Sequence, residues 1–383
     1  MKVVFISNYL NHHQLPLSIE LFERLGENYC FVSTEAIRTE RLNLGYEDMN
    51  KKYPFVIKTY DSSENRKKAK RMINDADVVI IGSAPYGLVR KRVLGGKLTF
   101  RYLERPLKKG NELFKYIPRL IKWHLLTPQG KAGYLLCASA YAAADFMKFG
   151  MYKNRTYRWG YFPEVKEYED IDALIENKGK ASIMWAGRMI DWKHPEYVIM
   201  LAKRLKEDGY DFNINMLGNG ALKEEIEKEI SDAGLSGYVH LLGGKSPDEV
   251  REYMEKVQIY LFTSNFQEGW GAVLNEAMNS GCAVVASHAI GSVPFLMKNE
   301  ENGLIFRNED SDDLYIKVKY LLDNQNEAAR LGKNAYQTMK NEWNARVLAE
   351  RFIQLSESLL LKNEVRFDEG PLSRAEIIEN DWM

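Results

Sequence analysis

The 383-residue sequence contains few cysteines, no long apolar run and no excess of charge of either sign. Its three cysteines, Cys30, Cys137 and Cys282, are far apart and lack the spacing of metal ligands, which predicts buried, reduced thiols in a cytoplasmic protein. No window approaches the roughly 18 apolar residues of a transmembrane helix, and the N-terminal run is too short for a signal peptide. The 53 Lys and Arg residues balance the 53 Asp and Glu residues, so the net charge does not indicate a nucleic-acid partner.

Two motifs of cofactor and metal chemistry are also missing. No strand-like run is followed by Gly-x-Gly-x-x-Gly, and no acidic residue stands where a ribose ligand is expected, which argues against a dinucleotide-dependent oxidoreductase. The segment Asp75-Ala-Asp77 has the spelling of a metal-binding Asp-x-Asp motif. It ends a basic helix just before a strand instead of following a strand, so we interpret it as a connecting loop.

Short runs rich in Val and Ile alternate with helical patterns along the chain. This alternation predicts parallel sheets covered by helices, and the length suits two α/β domains, placed at 1–162 and 163–344. The predicted strands are 2–7, 28–33, 55–59, 77–82, 98–102, 134–138, 182–186, 212–217, 238–242, 258–263, 283–287 and 303–306. The predicted helices are 14–25, 63–74, 139–149, 195–207, 221–233, 247–256, 271–280, 311–323, 326–340 and 345–361.

The most informative segment joins an apolar strand to a Gly-rich turn and a helix. The strand delivers Glu268 to the turn, where Gly269 and Gly271 flank Trp270 and allow the backbone to approach a ligand. A helix that opens near Gly271 would present unpaired amides and its positive dipole end to an anion. Glu276 would lie about one and a half turns further in. The segment therefore predicts a site for a phosphate-bearing ligand with hydroxyl groups.

A loop with two cations follows the first strand of the second domain. Gly187 permits the turn, and Arg188 and Lys193 precede the next helix. Two cations at the carboxyl end of a parallel strand are suited to clamping a diphosphate. A solvated basic loop before an ordinary helix is the alternative.

Two further loops follow the next strands of the same sheet. The turn Gly218-Asn219-Gly220 resembles a nucleotide-approach loop, although a plain tight turn explains it equally well. The loop that contains Lys245 could line a base pocket or could simply precede a helix capped by Ser246. Because all these loops follow parallel strands, they should open onto one edge of the sheet, where ligands bind in open α/β sheets.

Taken together, these residues resemble the donor-nucleotide domain of a family-4 glycosyltransferase, a retaining enzyme of GT-B fold. The resemblance extends over roughly 182–306 and includes the pair Glu268 and Glu276 with seven residues between them. It implies that Arg188 and Lys193 grip the leaving diphosphate, that Glu268 contacts the transferred sugar and that Glu276 binds the ribose. The donor-binding residues implied in this way are Arg188, Lys193, Gly218, Asn219, Gly220, Lys245, Gly269, Trp270, Gly271, Leu274 and Glu276.

The resemblance also implies an architecture and a co-substrate. The fold would be two Rossmann-like doubly wound domains that face across a cleft, with the helix in 345–383 crossing back to complete the N-terminal domain. The co-substrate would be a UDP- or GDP-sugar. Since a cationic clamp can replace a divalent metal at the leaving phosphate, no metal or other cofactor is expected.

The chain departs from the family pattern in two places. The N-terminal loop reads Asn11-His12-His13 where many members have paired glycines, and the segment 291–295 lacks the glutamate that many members carry. One of His12 and His13 could contact phosphate or take the proton of the acceptor, because a neutral imidazole is suited to this near pH 7. Alternatively, both are polar loop residues. The predicted catalytic residues are Glu268, His12, His13, Arg188 and Lys193.

The segment 88–125 is the electrostatic anomaly of the chain, with eleven cations against two glutamates, Glu104 and Glu112. The cations are Arg90, Lys91, Arg92, Lys97, Arg101, Arg105, Lys108, Lys109, Lys115, Arg119 and Lys122. Apolar residues recur at helical spacing within it, namely Leu113, Phe114, Ile117, Leu120, Ile121 and Leu125. A basic amphipathic stretch is typical of a membrane-surface segment, although Pro118 interrupts the helix. A helix packed on its own domain with a solvated basic face is the alternative.

The leading functional hypothesis is a metal-independent, retaining glycosyltransferase that acts in cell-surface polysaccharide or glycolipid assembly. Its partners would be a nucleotide sugar and a glycan or lipid-linked acceptor. The alternative is a non-catalytic module of the same fold that assists another transferase. The expected location is the cytoplasm, with contact of the inner membrane face through 88–125 as an open question.

Overall fold

The structure is a computed structural model that describes residues 1–39, 42, 45, 47–110, 113–363 and 365–383, without the side chains of residues 113–115. The chain divides into two compact units. The first unit comprises Met1–Glu164 and Trp343–Glu379, and the second comprises Val165–Glu342 and Asn380–Met383. In the described part of the chain, no helix has both the length and the apolar character needed to cross a membrane.

The first unit is built on a seven-stranded parallel sheet of order β3-β2-β1-β4-β5-β6-β7. Its strands are β1 Val3–Ser7, β2 Tyr29–Ser33, β3 Val56–Lys58, β4 Val78–Ile81, β5 Thr99–Leu103, β6 Gly133–Cys137 and β7 Thr156–Arg158. The central strands are buried along their whole length, which explains why they read as continuous apolar runs.

Six helices belong to the first unit in the described residues. They are α1 Leu15–Leu25, α2 Ser63–Asp75, α3 Gly87–Leu94, α4 Leu113–Ile121, α5 Ala142–Lys148 and the C-terminal helix α14 Ala345–Leu361. Phe352 of α14 packs in the core of this unit, with ring centroids 5.3 Å from Phe100 and 6.3 Å from Trp159. The chain therefore returns to its first unit after completing the second.

The second unit has a six-stranded parallel sheet of order β10-β9-β8-β11-β12-β13. Its strands are β8 Gly179–Ala186, β9 Asn213–Leu217, β10 Val239–Gly243, β11 Val257–Phe262, β12 Ala283–Ser287 and β13 Leu304–Phe306. Its helices are α6 Ile171–Glu176, α7 Glu196–Glu207, α8 Lys223–Asp232, α9 Pro247–Lys256, α10 Val273–Asn279, α11 Val293–Leu296, α12 Ser311–Asp323 and α13 Gln325–Asn341.

Both sheets are doubly wound, because the strand order reverses direction at one point within each of them. In the first unit the reversal lies between β1 and β4, and in the second it lies between β8 and β11. The loops that leave the carboxyl ends of two such strands diverge to opposite faces and open a crevice that suits a ligand. Each unit therefore has its own ligand-binding position at the edge of its sheet.

Several predicted elements need correction. The helix predicted at 271–280 begins at Val273, because Gly271 has φ +80° and cannot join a right-handed helix. The helix α4 continues through Pro118 and widens into a π-helical turn, Lys122–Leu126, so the proline does not end it. Strand β7 and helices α3, α6 and α11 were not predicted. Each has three to eight residues, too few for a clear periodic pattern.

Candidate functional site

An ion pair joins the two loops that flank the reversal point of the second sheet. Lys193 follows β8 and Glu268 follows β11, and the Lys193 ammonium contacts the Glu268 carboxylate. Their side chains are only 13% and 11% exposed. Ser264 adds a hydroxyl that donates to Glu268 Oε2 at 3.1 Å. The structure therefore brings together the two residues that the sequence assigned to the phosphate and to the sugar.

The loop that carries Lys193 is fixed to the end of β11 by hydrogen bonds. Thr263 Oγ1 donates to the carbonyl of Lys193 at 2.7 Å, and the Asn265 amide donates to the carbonyl of Trp192 at 3.0 Å. His194 has a left-handed backbone, with φ 49°, which ends the short turn Asp191–Lys193. These contacts hold the ammonium group in place before any ligand arrives.

Arg188 lies at the outer end of the same loop and is exposed. Its guanidinium carbon lies 5.7 Å from the ring centroid of Trp192, and Lys193 Nζ lies 4.7 Å from that centroid. Within the described residues, no carboxylate pairs with Arg188. Its charge is therefore not offset by a neighbouring acid, in contrast to that of Lys193.

The predicted glycines of this edge hold one loop against another. At Gly218, where φ is +132°, an added Cβ would lie 1.8 Å from the carbonyl oxygen of Gly187. At Gly220 it would lie 2.2 Å from the carbonyl oxygen of Met189. The loop after β9 thus packs directly on the backbone that leads to Arg188, which a simple tight turn would not require.

Lys245 forms its ion pair with its own helix and not with Lys193 or Glu268. Its ammonium lies 3.5 Å from the carboxylate of Glu249 in the first turn of α9. The Ser246 hydroxyl accepts from the Glu249 amide, and the Glu249 carboxylate accepts from the Ser246 amide, so the predicted helix cap is confirmed. The neighbouring Gly243 carbonyl accepts from the Gly218 amide at 2.8 Å, which ties this loop to the one before it.

Two predicted donor-binding side chains belong to the core. Trp270 is 1% exposed and its indole donates to Asn275 Oδ1 at 2.9 Å, while Leu274 is fully buried. Only their backbone groups can line a site. The helix start expected to bind an anion contributes less than predicted. The helix α10 has only seven residues, so its dipole is short. The side chains of Arg188 and Lys193 are therefore the main positive groups at this edge.

Glu276 lies in the first turn of α10, nearer to its start than predicted. Its carboxylate keeps some access to solvent, but the surrounding protein atoms desolvate it and raise its pKa to about 7, against an opposing effect of Arg251. In the described part of the chain no side chain makes a hydrogen bond to this carboxylate. A half-buried carboxylate without a protein donor is suited to accept hydrogen bonds from the hydroxyls of a ligand.

The residues that fix the site were missed in the sequence, although they left a signal. Thr263, Ser264 and Asn265 form a polar run immediately after the apolar strand β11. Such a run at the carboxyl end of a parallel strand indicates groups aimed at a ligand or a neighbouring loop. His194 left no comparable signal, because its left-handed conformation depends on the fold.

The loop with the two histidines lies at the reversal point of the first sheet. Asn11 Oδ1 accepts from the amides of His13 and Gln14 at 3.0 and 3.1 Å, which shapes the turn before α1 begins at Leu15. The ring of His13 stacks on Tyr161, with centroids 5.0 Å apart, and the ring of His12 lies 3.6 Å from that of His13. His13 lines the large cavity of this unit, whereas both histidines line a smaller one nearby.

The large cavity of the first unit has a volume of about 640 Å³. It is lined by Asn8, Asn11, His13, Gln14, Ser83, Tyr102, Leu103, Glu104, Arg105, Pro106, Lys108, Lys109, Arg119, Lys122, Trp123 and Tyr161. These residues follow β1, β4 or β7 or belong to the segment 88–125. Part of that segment therefore forms the wall of a cavity.

Three arginines of the segment 88–125 are buried and therefore do not contribute to a solvated basic face. Arg92, Arg101 and Arg105 are at most 9% exposed. Arg105 makes a two-point ion pair with Asp145, at 3.0 and 3.1 Å. Arg92 and Arg101 donate to backbone carbonyls of neighbouring loops. The predicted contributions of Glu112 and of the side chains of Leu113, Phe114 and Lys115 lie outside the described residues.

The Asp75-Ala-Asp77 segment joins α2 to β4, as the sequence predicted. The Asp77 carboxylate accepts from the backbone amide of Lys2 at 2.7 Å, so it connects two strands. Among the described residues, no cluster of three or more His, Cys, Asp or Glu side chains has the geometry to hold a metal ion.

Residues 167–338 match the family described as glycosyl transferases group 1. The 172 matched residues are somewhat less than half of the 383-residue chain. The expected resemblance of 182–306 to a glycosyltransferase domain is thereby confirmed.

Curated relatives match about half of this chain. An uncharacterised glycosyltransferase of Methanocaldococcus jannaschii is 32% identical over 180 residues, which cover 46% of this chain and 49% of the relative. The amylovoran biosynthesis glycosyltransferase AmsK of Erwinia amylovora is 25% identical over 207 residues, covering 53% and 50%. The chain thus spans about half the length of the curated relatives it matches.

A solved structure extends the likeness to both units. The Anabaena protein HepE, in complex with UDP, has a TM-score of 0.69 and 15% identity, and the match covers 94% of this chain and 100% of that chain. At this identity the likeness shows the fold. The predicted fold class, two doubly wound α/β units of the GT-B type, is confirmed.

Proposed function

We propose that the chain is a retaining, metal-independent glycosyltransferase of family 4 that takes its sugar from a UDP- or GDP-sugar. The observation that supports this most directly is the Lys193–Glu268 ion pair at the reversal point of the second sheet, with Arg188 on the same loop. A carboxylate for the sugar and two cations for the phosphates then meet at one edge. The solved neighbour HepE holds UDP, which favours UDP as the nucleotide.

The chemistry follows from the charges that develop in the reaction. When the bond between the anomeric carbon and the diphosphate oxygen breaks, the electron pair leaves with the diphosphate and the sugar ring becomes electron-poor. Arg188 and Lys193 stabilise the departing diphosphate, and Glu268 supports the sugar. The acceptor oxygen then bonds to the anomeric carbon on the face that the diphosphate left, and its proton is released.

Ligand binding has to rearrange the ion pair. Lys193 is paired with Glu268, so contact with a diphosphate draws the ammonium partly away from the carboxylate. Glu268 Oε2 keeps the Ser264 hydroxyl as a donor and gains the capacity to accept from sugar hydroxyls. Binding of the phosphate by Lys193 therefore frees Glu268 to orient the sugar.

Glu276 supplies the third point of contact. Its carboxylate has no described hydrogen-bond donor and a pKa raised to about 7 by burial. The two hydroxyls of a ribose would satisfy it and favour its ionised form. We assign the nucleoside end of the donor to this residue.

The acceptor side belongs to the first unit in this proposal. One of His12 and His13 contacts the phosphate or receives the proton of the acceptor. The acceptor is a glycan or a lipid-linked glycan of a cell-surface polysaccharide or glycolipid, as the name of the Erwinia relative suggests. Exposed Ile117, Ile121 and Leu125 of the segment 88–125 support contact with the inner face of a membrane.

A panel of nucleotide sugars tests the proposal through the release of UDP or GDP, first without acceptor and then with glycan acceptors. The Glu268→Gln variant should lose at least about a hundredfold in kcat while it still binds UDP, because the carboxylate acts on the sugar. Glu309→Gln, an exposed carboxylate of the same unit, is the matched control.

Two results would contradict this reading. Failure to bind or turn over any nucleotide sugar would exclude the donor site. Full UDP binding without turnover in the unaltered chain would favour the alternative, a non-catalytic partner of another transferase.

A further inference from the structure

The cavity of the first unit lies at the reversal point of its own sheet, whereas the ion pair described above belongs to the second unit. Its volume of about 640 Å³ is within the range of small-molecule sites, which is roughly 300–1,000 Å³. Its lining includes five Lys and Arg side chains and one carboxylate, that of Glu104. This imbalance is local, because the whole chain has no net charge.

Two of the five cations are already neutralised. Arg105 is buried and paired with Asp145, and Lys108 lies 3.2 Å from the carboxylate of Glu104. Arg105 therefore shapes the wall, and Lys108 offsets the single acid of the lining.

Lys109 and Lys122 keep an uncompensated charge. Lys109 and Lys122 are exposed, and no carboxylate among the described residues forms an ion pair with either. Lys122 instead lies 4.9 Å from the ring centroid of Trp123, and Arg119 donates to the carbonyl of Gly110 at 2.9 Å. The cavity thus presents positive charge at its mouth.

The inner wall also contains polar atoms without a partner. Gln14 and Trp123 are each 7% exposed, and among the described residues neither Gln14 Oε1 nor Trp123 Nε1 has a hydrogen-bond partner. Buried polar groups in folded proteins are almost always satisfied. An acceptor and a donor left unsatisfied in the wall of one cavity point to a polar ligand that completes them after a small shift of the wall.

We infer that this cavity binds a phosphate group, carried either by a phosphorylated sugar or by the headgroup of a lipid. If the proposed function holds, this ligand is the acceptor of sugar transfer. That identification rests on the proposed function, whereas the binding of a phosphate does not. Lys109 and Lys122 neutralise the phosphate, and the sugar or headgroup that bears it occupies the remainder of the cavity beside Trp123. Phosphate oxygens form charge-assisted hydrogen bonds with ammonium groups that are stronger than neutral ones.

Calorimetric titration of the full chain tests this inference without any nucleotide sugar. Glucose 1-phosphate is the soluble probe and glucose is its neutral match. The Lys109→Ala/Lys122→Ala variant should raise the Kd for glucose 1-phosphate by about tenfold or more, since two charge-assisted contacts are lost. The Lys131→Ala/Lys153→Ala variant, with the same charge change at two exposed lysines of the same unit, should bind as the unaltered chain does.

A second arm distinguishes the source of the phosphate. Vesicles of phosphatidylcholine, with or without phosphatidic acid, are sedimented with the same variants. The cavity is assigned to a lipid headgroup if the unaltered chain binds phosphatidic acid vesicles but not the sugar phosphate, and if the Lys109→Ala/Lys122→Ala variant loses that vesicle binding. Binding of the sugar phosphate that this variant loses assigns it to a soluble ligand.

The inference is overturned if neither probe binds saturably, if glucose binds as tightly as glucose 1-phosphate, or if the Lys109→Ala/Lys122→Ala variant binds normally. The Arg188→Ala variant identifies binding in the second unit, because this change should weaken binding of the phosphate only if the phosphate binds there. A chain that binds the phosphate through Lys109 and Lys122 but transfers no sugar would refute the proposed function and leave this inference standing.

Discussion

The side chain of Arg92 lies inside the first unit, although it belongs to the most basic stretch of the chain. Its guanidinium donates to the carbonyls of Ile73, Ala76, Asp77 and Leu98 and to the hydroxyl of Thr99. Burial lowers the pKa of Arg92 to about 10. Its partners lie in the last turn of α2, in the loop that follows and around the start of β5, so nothing in the sequence around Arg92 distinguishes it from its solvated neighbours.

Replacement of Arg92 by Met should destabilise the first unit by roughly 3 kcal/mol, because several buried carbonyls would lose their donor at once. Urea denaturation followed by circular dichroism measures the change. Lys91→Met, one position earlier and exposed, should change the stability by less than about 0.5 kcal/mol. Equal effects of the two variants would show that the buried network contributes little.

Glu276 gives the second unit a pH dependence of known sign. Its pKa is raised by burial from an ordinary value of 4.5 to about 7, so the folded chain holds a proton that the unfolded chain releases between these values. The contribution of Glu276 to the free energy of unfolding should therefore be largest below about pH 4.5. It should decrease as the pH rises from there to about 7 and then level off. At about 1.4 kcal/mol per pKa unit, the loss is on the order of 3 kcal/mol.

The Glu276→Gln variant should remove this loss and be more stable than the unaltered chain at pH 8. It should also bind UDP more weakly, since the amide accepts hydrogen bonds less strongly than a carboxylate. Denaturation at a series of pH values from about 5 to 8 measures the first effect, and titration with UDP measures the second. Glu227→Gln, an exposed residue of α8, should retain the pH profile of the unaltered chain.

At the scale of elements, the positions of the loops of the second sheet were better predicted than the start of the helix α10. The apolar run of β11 and the polar residues after it are local features, and they fix which residues reach the sheet edge. The start of α10 depends instead on Gly271, which lies so close to the ring of Phe262 that an added Cβ would be 2.3 Å away. Such a contact between distant residues leaves no periodic signal in the sequence.

The same limit applies to Lys193 and Glu268. Each was predicted as a site residue from the loop that carries it, but their ion pair follows from the adjacency of β8 and β11 in the sheet. Because these strands are far apart in sequence, only the topology reveals that the two side chains meet. The ion pair between Lys193 and Glu268 thus depends on the fold and not on either loop alone.

Gly218 connects two loops of the site, and its replacement tests that connection. Gly218→Ala places a Cβ 1.8 Å from the Gly187 carbonyl oxygen and should shift the loop that carries Arg188 and Lys193. We expect a loss of stability of about 2–4 kcal/mol and at least tenfold weaker binding of UDP. Gly237→Ala in the same unit, where nothing lies within 4 Å of the added Cβ, should bind UDP normally. Normal UDP binding by Gly218→Ala would show that the two loops act independently.

At the scale of the molecule, each unit has its own sheet and its own buried core, so each should respond separately to changes that affect only one of them. Phe352 is fully buried among Phe100 and Trp159 in the first unit, although α14 follows the whole of the second unit in sequence. The predicted nucleotide site lies entirely in the second unit. A core substitution and a nucleotide should therefore act on different unfolding transitions.

Calorimetry of Phe352→Ala with and without UDP tests this separation. The substitution should lower the Tm of the first unit, because removing a buried phenyl ring costs about 3–5 kcal/mol. UDP at about a hundred times its Kd should stabilise the second unit by about 2.7 kcal/mol and raise only its Tm. Leu360→Ala on the same helix, where the leucine is 43% exposed, should leave both transitions in place. If UDP and Phe352→Ala shift one common transition, the two units unfold together, and the stability of the nucleotide site depends on the core that α14 completes.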